Sequence, residues 1–169
     1  MVSTKNQSSV NAIQQILLDN ITFKTNDNSQ LYLNVNSKNF ILQADDKSKT
    51  ELNLKSENAT IELSKNSSLK ALVNAIDLKC DLYEKSNATI EGDVTNTNIR
   101  LDNSSTLKGN KLTVKNADVT TEGNSNCSLF VETNIIVEAV EKSEIEILGA
   151  PKIEIRKFEG EAKLLKKLK

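Results

Sequence analysis

Serine returns at positions 29, 48, 67, 86, 105, 125 and 143, at intervals of 19, 19, 19, 19, 20 and 18 residues. The text around each serine repeats too: DNSQLYLNV at 27–35, DKSKTELNL at 46–54, KNSSLKALV at 65–73, EKSNATIEG at 84–92, SSTLKGNK at 104–111, GNSNCSLFV at 123–131 and EKSEIEILG at 141–149. Self-similarity at a fixed period near twenty is the signature of a solenoid, whose units bury their apolar face only by stacking on one another.

The pattern inside each unit says what stacks. Counted from each serine, positions +2, +4, +6 and −8, −6, −4 are apolar at 34 of 42 places, glycine not counted. The positions between them are apolar at only six of 28: Tyr32, Ile41, Leu72, Phe130, Ile136 and Leu148. A period of two means strands with one buried face. Each unit therefore holds two short strands joined by a polar turn, acidic or small at −2 (Asp27, Asp46, Glu84, Asn103, Glu141) and rich in Asn and Lys at −1. Asn, Asp and Ser suit tight turns because they bond their own backbone. Strands this short hold only if the next coil satisfies their N–H and C=O groups about 4.8 Å away.

The expected fold is all-β: a single-stranded, right-handed parallel β-helix of about eight coils of ~19 residues, roughly 40 Å long. An antiparallel sandwich would call for Asn-Gly or Asp-Gly hairpins, and neither dipeptide occurs. With 4% aromatics and no Trp, the core must be built from small aliphatic side chains, which suits a narrow bore. Residues 21–149 carry the repeats. Residues 1–20 read as a degenerate first coil or a short capping helix. Residues 150–169 read as an edge strand, marked by Pro151, and a basic tail, AKLLKKLK at 162–169.

The formal net charge is −1 with both signs interspersed, so no electrostatic footprint for nucleic acid is present. No apolar run is long enough for a transmembrane helix, and MVSTKNQSSVNAIQQILLDN has no leader pattern. The chain is then either cytoplasmic or the product of a removed leader. Cys80 and Cys127 fall at inward positions two coils apart, beyond disulfide reach, and read as buried small hydrophobes. Lys111 breaks the inward pattern beside Gly109 where the spacing lengthens to 20, which predicts a local bulge.

At its C-terminal end the repeat runs into Leu148-Gly149-Ala150-Pro151-Lys152, then Phe158-Glu159-Gly160 and a lysine-rich finish. With the repeated turn-serine and strand pattern, this resembles the head GIN domain, an auto-transporter adhesin family of Bacteroidetes-type bacteria, over roughly residues 10–165. The resemblance implies a surface-located, adhesin-like domain, with no catalytic residues or cofactors to carry over.

Chemistry is sought among the outward positions. Glu62, Asp81 and Arg100 should be neighbours on successive coils, with Lys79 beside them and Asn98 and Asp118 in the adjoining row. Such a cluster could bind sugar or act as paired carboxylates, but the plainer reading is a surface ladder of alternating charge. Asp27, Asp45 and Asp46 sit at turns as oxygen donors of the kind calcium takes, but the Gly-rich calcium-binding nonapeptide is absent. No metal or cofactor is expected. The outward rows mix Lys, Glu, Asp and Asn, which does not suit an ice-binding face.

Three functions compete. The first is a non-enzymatic surface β-helix binding glycan or protein through an extended face containing Glu62, Lys79, Asp81, Asn98, Arg100 and Asp118. The second is a cytoskeletal β-helix of the bactofilin kind that polymerises through its ends, a reading that an assembly no larger than a homodimer would reject. The third is a polysaccharide-processing enzyme.

Overall fold

The computed structural model describes residues 1–167. The strands are β1 (Val2–Thr4), β2 (Ser9–Asn11), β3 (Ile16–Leu17), β4 (Asn20–Thr25), β5 (Gln30–Ala44), β6 (Lys49–Leu63), β7 (Ser68–Leu82), β8 (Asn87–Leu101), β9 (Thr106–Thr121), β10 (Asn126–Ala139), β11 (Glu144–Leu148), β12 (Lys152–Phe158) and β13 (Lys163–Lys167). Every pairing among them is parallel. Each strand from β5 to β9 pairs with the next one in sequence, which is the topology of a coil wound on itself. The chain makes about nine turns, one more than the repeat count predicts, because residues 152–167 wind a further coil onto β10 and β11. Residues 1–20 carry short strands rather than a helix: β1 pairs with β4, while β2 and β3 pair with β5. The last two residues of the basic tail, 168–169, lie outside the described residues.

The register stacks like on like. Ile61, Cys80 and Ile99 lie directly over one another. The inward positions deduced from the alternation are buried except at Gly92, Lys111 and Gly149. A further inward column escapes that count: Ser37, Ser56, Ala75, Val94 and Val114 stack at a bend within each coil. Pairing skips Lys38 and Glu57 there, and the Lys38 and Asn39 amides both donate to the Asp19 carbonyl at 3.0 and 2.8 Å. Each coil is thus two straight runs, a bend and a tight turn.

The repeated serines are not the turn itself. All seven are completely buried, as the first inward residues after the turn. Ser67 Oγ donates to the Ala44 carbonyl at 3.1 Å, and Ser86 Oγ to the Leu63 carbonyl at 3.2 Å. A small hydroxyl fits the narrow end of the bore and satisfies a buried acceptor there. The residues that turn the chain precede it. Asp27 and Asn28 (φ 56° and 58°), Asp46 and Lys47 (46° and 58°) and Glu84 and Lys85 (50° and 62°) are consecutive left-handed pairs. Their tips are tied together, since the Asn28 amide donates to Asp46 O at 3.0 Å and the Lys47 amide to Lys65 O at 2.9 Å.

The expected bulge lies where the spacing lengthens. Thr89 pairs with Lys108 but Glu91 pairs with Lys111, so Gly109 and Asn110 absorb the extra residue. Lys111 swings outward to Glu91 (3.1 Å), and Leu112 takes its place in the core.

Candidate functional site

The second run of each coil presents two outward rows. Register places Glu62, Asp81 and Arg100 in one row, followed by Thr120. Lys79, Asn98 and Asp118 form the adjoining row. The neighbouring strands hold every one of these Cα positions from both sides, so the face is rigid at the backbone.

The side chains choose partners that register alone does not fix. Asp81 is the one deeply placed member, 6% exposed, and its Oδ2 accepts from Lys79 Nζ at 2.8 Å on the same strand. That hydrogen bond, reinforced by the Asp81 charge, raises the Lys79 ammonium above its ordinary pKa. Glu62 Oε2 accepts from Gln43 Nε2 at 2.7 Å. Arg100 turns away from Asp81 and pairs with Glu122 at 3.3 Å. The six candidate residues are therefore brought onto two neighbouring rows, with Lys79 and Asp81 paired to each other and Arg100 paired to Glu122.

Beside the rows lies a groove of about 520 Å³, between Glu62, Asp81, Asp45 and Tyr83. Burial would raise the Asp45 carboxyl, but hydrogen bonds from Lys65, Ser64 and the Asp46 amide, with the Lys65 charge, outweigh it and hold the group below the usual carboxylate value. Lys65 Nζ stands 3.0 Å from Asp45 Oδ2, and Ser64 Oγ 2.9 Å from Oδ1. Burial raises the Tyr83 hydroxyl. Among the described residues, no three acidic, cysteine or histidine side chains gather as a metal ion would require.

Two features lie outside the sequence-based candidates. On the first run, a groove of about 540 Å³ runs across the coils between Tyr32, Glu51 and Lys70 on one side and Asn34, Asn53 and Leu72 on the other. Its signal was present in Tyr32 and Leu72, two of the few apolar residues at outward positions. The other feature is a ladder of side-chain amides at the start of the second run. Asn39 Nδ2 donates to Asn20 Oδ1 (2.7 Å), Asn58 to Asn39 (3.0 Å), Asn96 to Asp77 (2.9 Å), Asn116 to Asn96 (3.1 Å) and Asn134 to Asn116 (2.9 Å). The sequence carries it plainly as Asn at position −9 in every repeat but one, where Asp77 stands.

Cys80 and Cys127 are free and buried. Burial, with the nearby Asp81 charge, pushes the Cys80 thiol far up, and burial raises Cys127 to about 12. Neither is a nucleophile in the folded coil.

No curated protein matches the chain. The family described as "Putative auto-transporter adhesin, head GIN domain" matches residues 49–151, more than half of the 169. That family is described as an adhesin domain and not as an enzyme. By this match, and by the stacked coils that it spans, the chain belongs to the head GIN domain family.

Proposed function

We propose that this chain is a non-enzymatic, adhesin-like module of the bacterial cell surface, binding glycan or protein along an extended face. The observation that carries the reading is the pair of rows on the second run, Glu62–Asp81–Arg100 and Lys79–Asn98–Asp118, held on a backbone paired on both sides. A face fixed before contact loses little conformational entropy on binding, so many weak polar contacts can add up without a deep pocket. Asn98, Arg100 and Asp118 supply donors and acceptors of both charge signs. The family's description as an adhesin domain points the same way.

The test is binding of the purified chain to immobilised glycans and to cell-surface proteins, with Asn98→Ala/Arg100→Ala/Asp118→Ala as the comparison. The expected result is a ligand whose affinity falls about tenfold or more in the triple variant, while the circular dichroism spectrum is unchanged. A ligand bound equally by both proteins, or no ligand for the wild type, sinks the reading.

A further inference from the structure

We infer that the first-run groove is a second binding site, built for a neutral linear polysaccharide lying along the solenoid axis. It adds a site to the adhesin reading and depends on that reading only for its setting.

The groove has two walls one residue pair apart. One is the column Asn11, Tyr32, Glu51, Lys70 and Thr89; the other is Asn34, Asn53, Leu72 and Glu91. Between them runs the backbone of Leu33, Leu52 and Ala71, whose side chains point into the core. Four coil steps give a channel roughly 19 Å long, open at the top and straight because the coils are in register.

Three observations select the occupant. The first is charge. Glu51 and Lys70 pair in register on adjacent coils, and Glu91 is taken by Lys111 at 3.1 Å. With their backbones about 4.8 Å apart, one acid and one base stand on adjacent coils, so these two groups add no net charge to the channel. A polyanion meets Glu51 and a polycation meets Lys70, so the match is to an uncharged chain.

The second is the state of the floor. Its N–H and C=O groups are already used in the parallel ladder. An extended peptide gains most of its affinity from adding main-chain bonds to a free sheet edge, and no such edge lies in this groove. A ligand that brings its own hydroxyls does not need one.

The third is the placement of side chains. Tyr32 is 37% exposed, and its hydroxyl donates to Gln30 Oε1 at 2.9 Å, which holds the ring in place. An aromatic ring offers an apolar face with a polar tip, suited to the C–H face of a sugar ring. Leu72, 45% exposed, offers a second apolar contact on the opposite wall two coils further along. Asn34 and Asn53 carry both donor and acceptor on one amide, as does a sugar hydroxyl.

The experiment is affinity electrophoresis and titration calorimetry with a neutral β-glucan, a neutral xylan, polygalacturonate and an unstructured polypeptide. The variants are Tyr32→Ala, Tyr32→Trp and Asn53→Ala, with Ile41→Ala on the second run as a control. The proposal expects a neutral glycan to bind more tightly than polygalacturonate. Tyr32→Ala should weaken it about tenfold, with Tyr32→Trp restoring it and Ile41→Ala leaving it unchanged. Polygalacturonate or polypeptide binding in place of neutral glycans overturns the groove assignment. So does neutral glycan binding that survives Tyr32→Ala but is lost in the Asn98/Arg100/Asp118 triple variant, a result that leaves the adhesin reading standing. Binding of every neutral glycan failing while the second-run face keeps its own ligand overturns the groove alone.

Discussion

Gly92 adopts φ 117°, and a Cβ built on it would overlap the Val73 carbonyl oxygen one coil away. Glycine is the residue that this close approach between coils admits. Gly92→Ala should therefore cost on the order of 3 kcal/mol, from backbone strain and a forced shift of β7 against β8, measured by urea denaturation. The turn pairs pose the opposite case. Glu84 and Lys85 are ordinary residues in left-handed geometry, each costing about 1–2 kcal/mol relative to a relaxed backbone. The Lys85 amide is still delivered to Asn103 O at 2.9 Å, so the bond between turn tips helps to hold the strained form in place. Lys85→Gly should keep that bond and remove strain, for a net gain of about 0.5–1 kcal/mol after glycine's larger entropy loss, seen as a raised Tm. Asp45 brings pH into the same corner. Its folded pKa is depressed, so its contribution to stability is fully present above the ordinary carboxylate pKa, near 4. That contribution is lost as pH falls through the lower folded value. Comparing wild type with Asp45→Asn in urea at neutral pH and again below pH ~4 should show the gap between them closing on acidification.

Within the coils, the amide ladder shows what one atom decides. An asparagine both donates and accepts, so a column of them can hand a hydrogen bond down from coil to coil. Asp77 accepts from Asn96 at 2.9 Å, but an ionised carboxylate has nothing to donate to Asn58, and the chain of bonds stops there. Asp77→Asn supplies the missing N–H. It should join the two segments and stabilise the protein by about 0.5–1 kcal/mol, with no change in the denaturant slope. A destabilised Asp77→Asn variant would mean that the column is decorative. The same column bears on what the sequence discloses. Alternation exposes the buried faces because burial repeats every second residue, and the 20-residue interval exposes the bulge because an extra residue must go somewhere. The Ser37 and Ser56 column stayed hidden because its first members are polar, so hydropathy does not mark them as inward. The rows of Glu62, Asp81 and Arg100 follow from register alone. Their ion pairs do not, because Arg100 reaching Glu122 and Asp81 taking Lys79 are rotamer choices between partners at similar reach. The Tyr32 groove is a property of depth between two columns, which no single position displays.

For the whole molecule, each coil touches only its neighbours, so stability is a sum along one axis and opening begins where a coil has a neighbour on one side only. The outer edge of the last coil is guarded by charge: on and beside β12, Arg156 pairs with Glu154 at 2.9 Å and Lys157 with Glu159 at 3.6 Å. Charged side chains discourage a further strand from adding there, but they do not hold the coil down as a neighbour would. The two cysteines sample this axis at different depths. Cys127 has Ile145 and then Leu164 between it and the C-terminal face. Cys80 has Ile99, Val119, Val137 and Ile155 on that side, and Ile61, Leu42, Phe23 and Val2 on the other. Both thiols are buried and held protonated, so a disulfide-exchange reagent reaches either one only when the coils above it part. In native buffer, the single-thiol variants Cys80→Ala and Cys127→Ala should therefore differ. The remaining Cys127 should be labelled faster than the remaining Cys80, because peeling two coils costs less than peeling four. As urea is added, the two rates should converge when global unfolding overtakes fraying. Equal rates at every urea concentration would mean that the coil opens all at once, and that the nearest-neighbour picture of this solenoid is wrong.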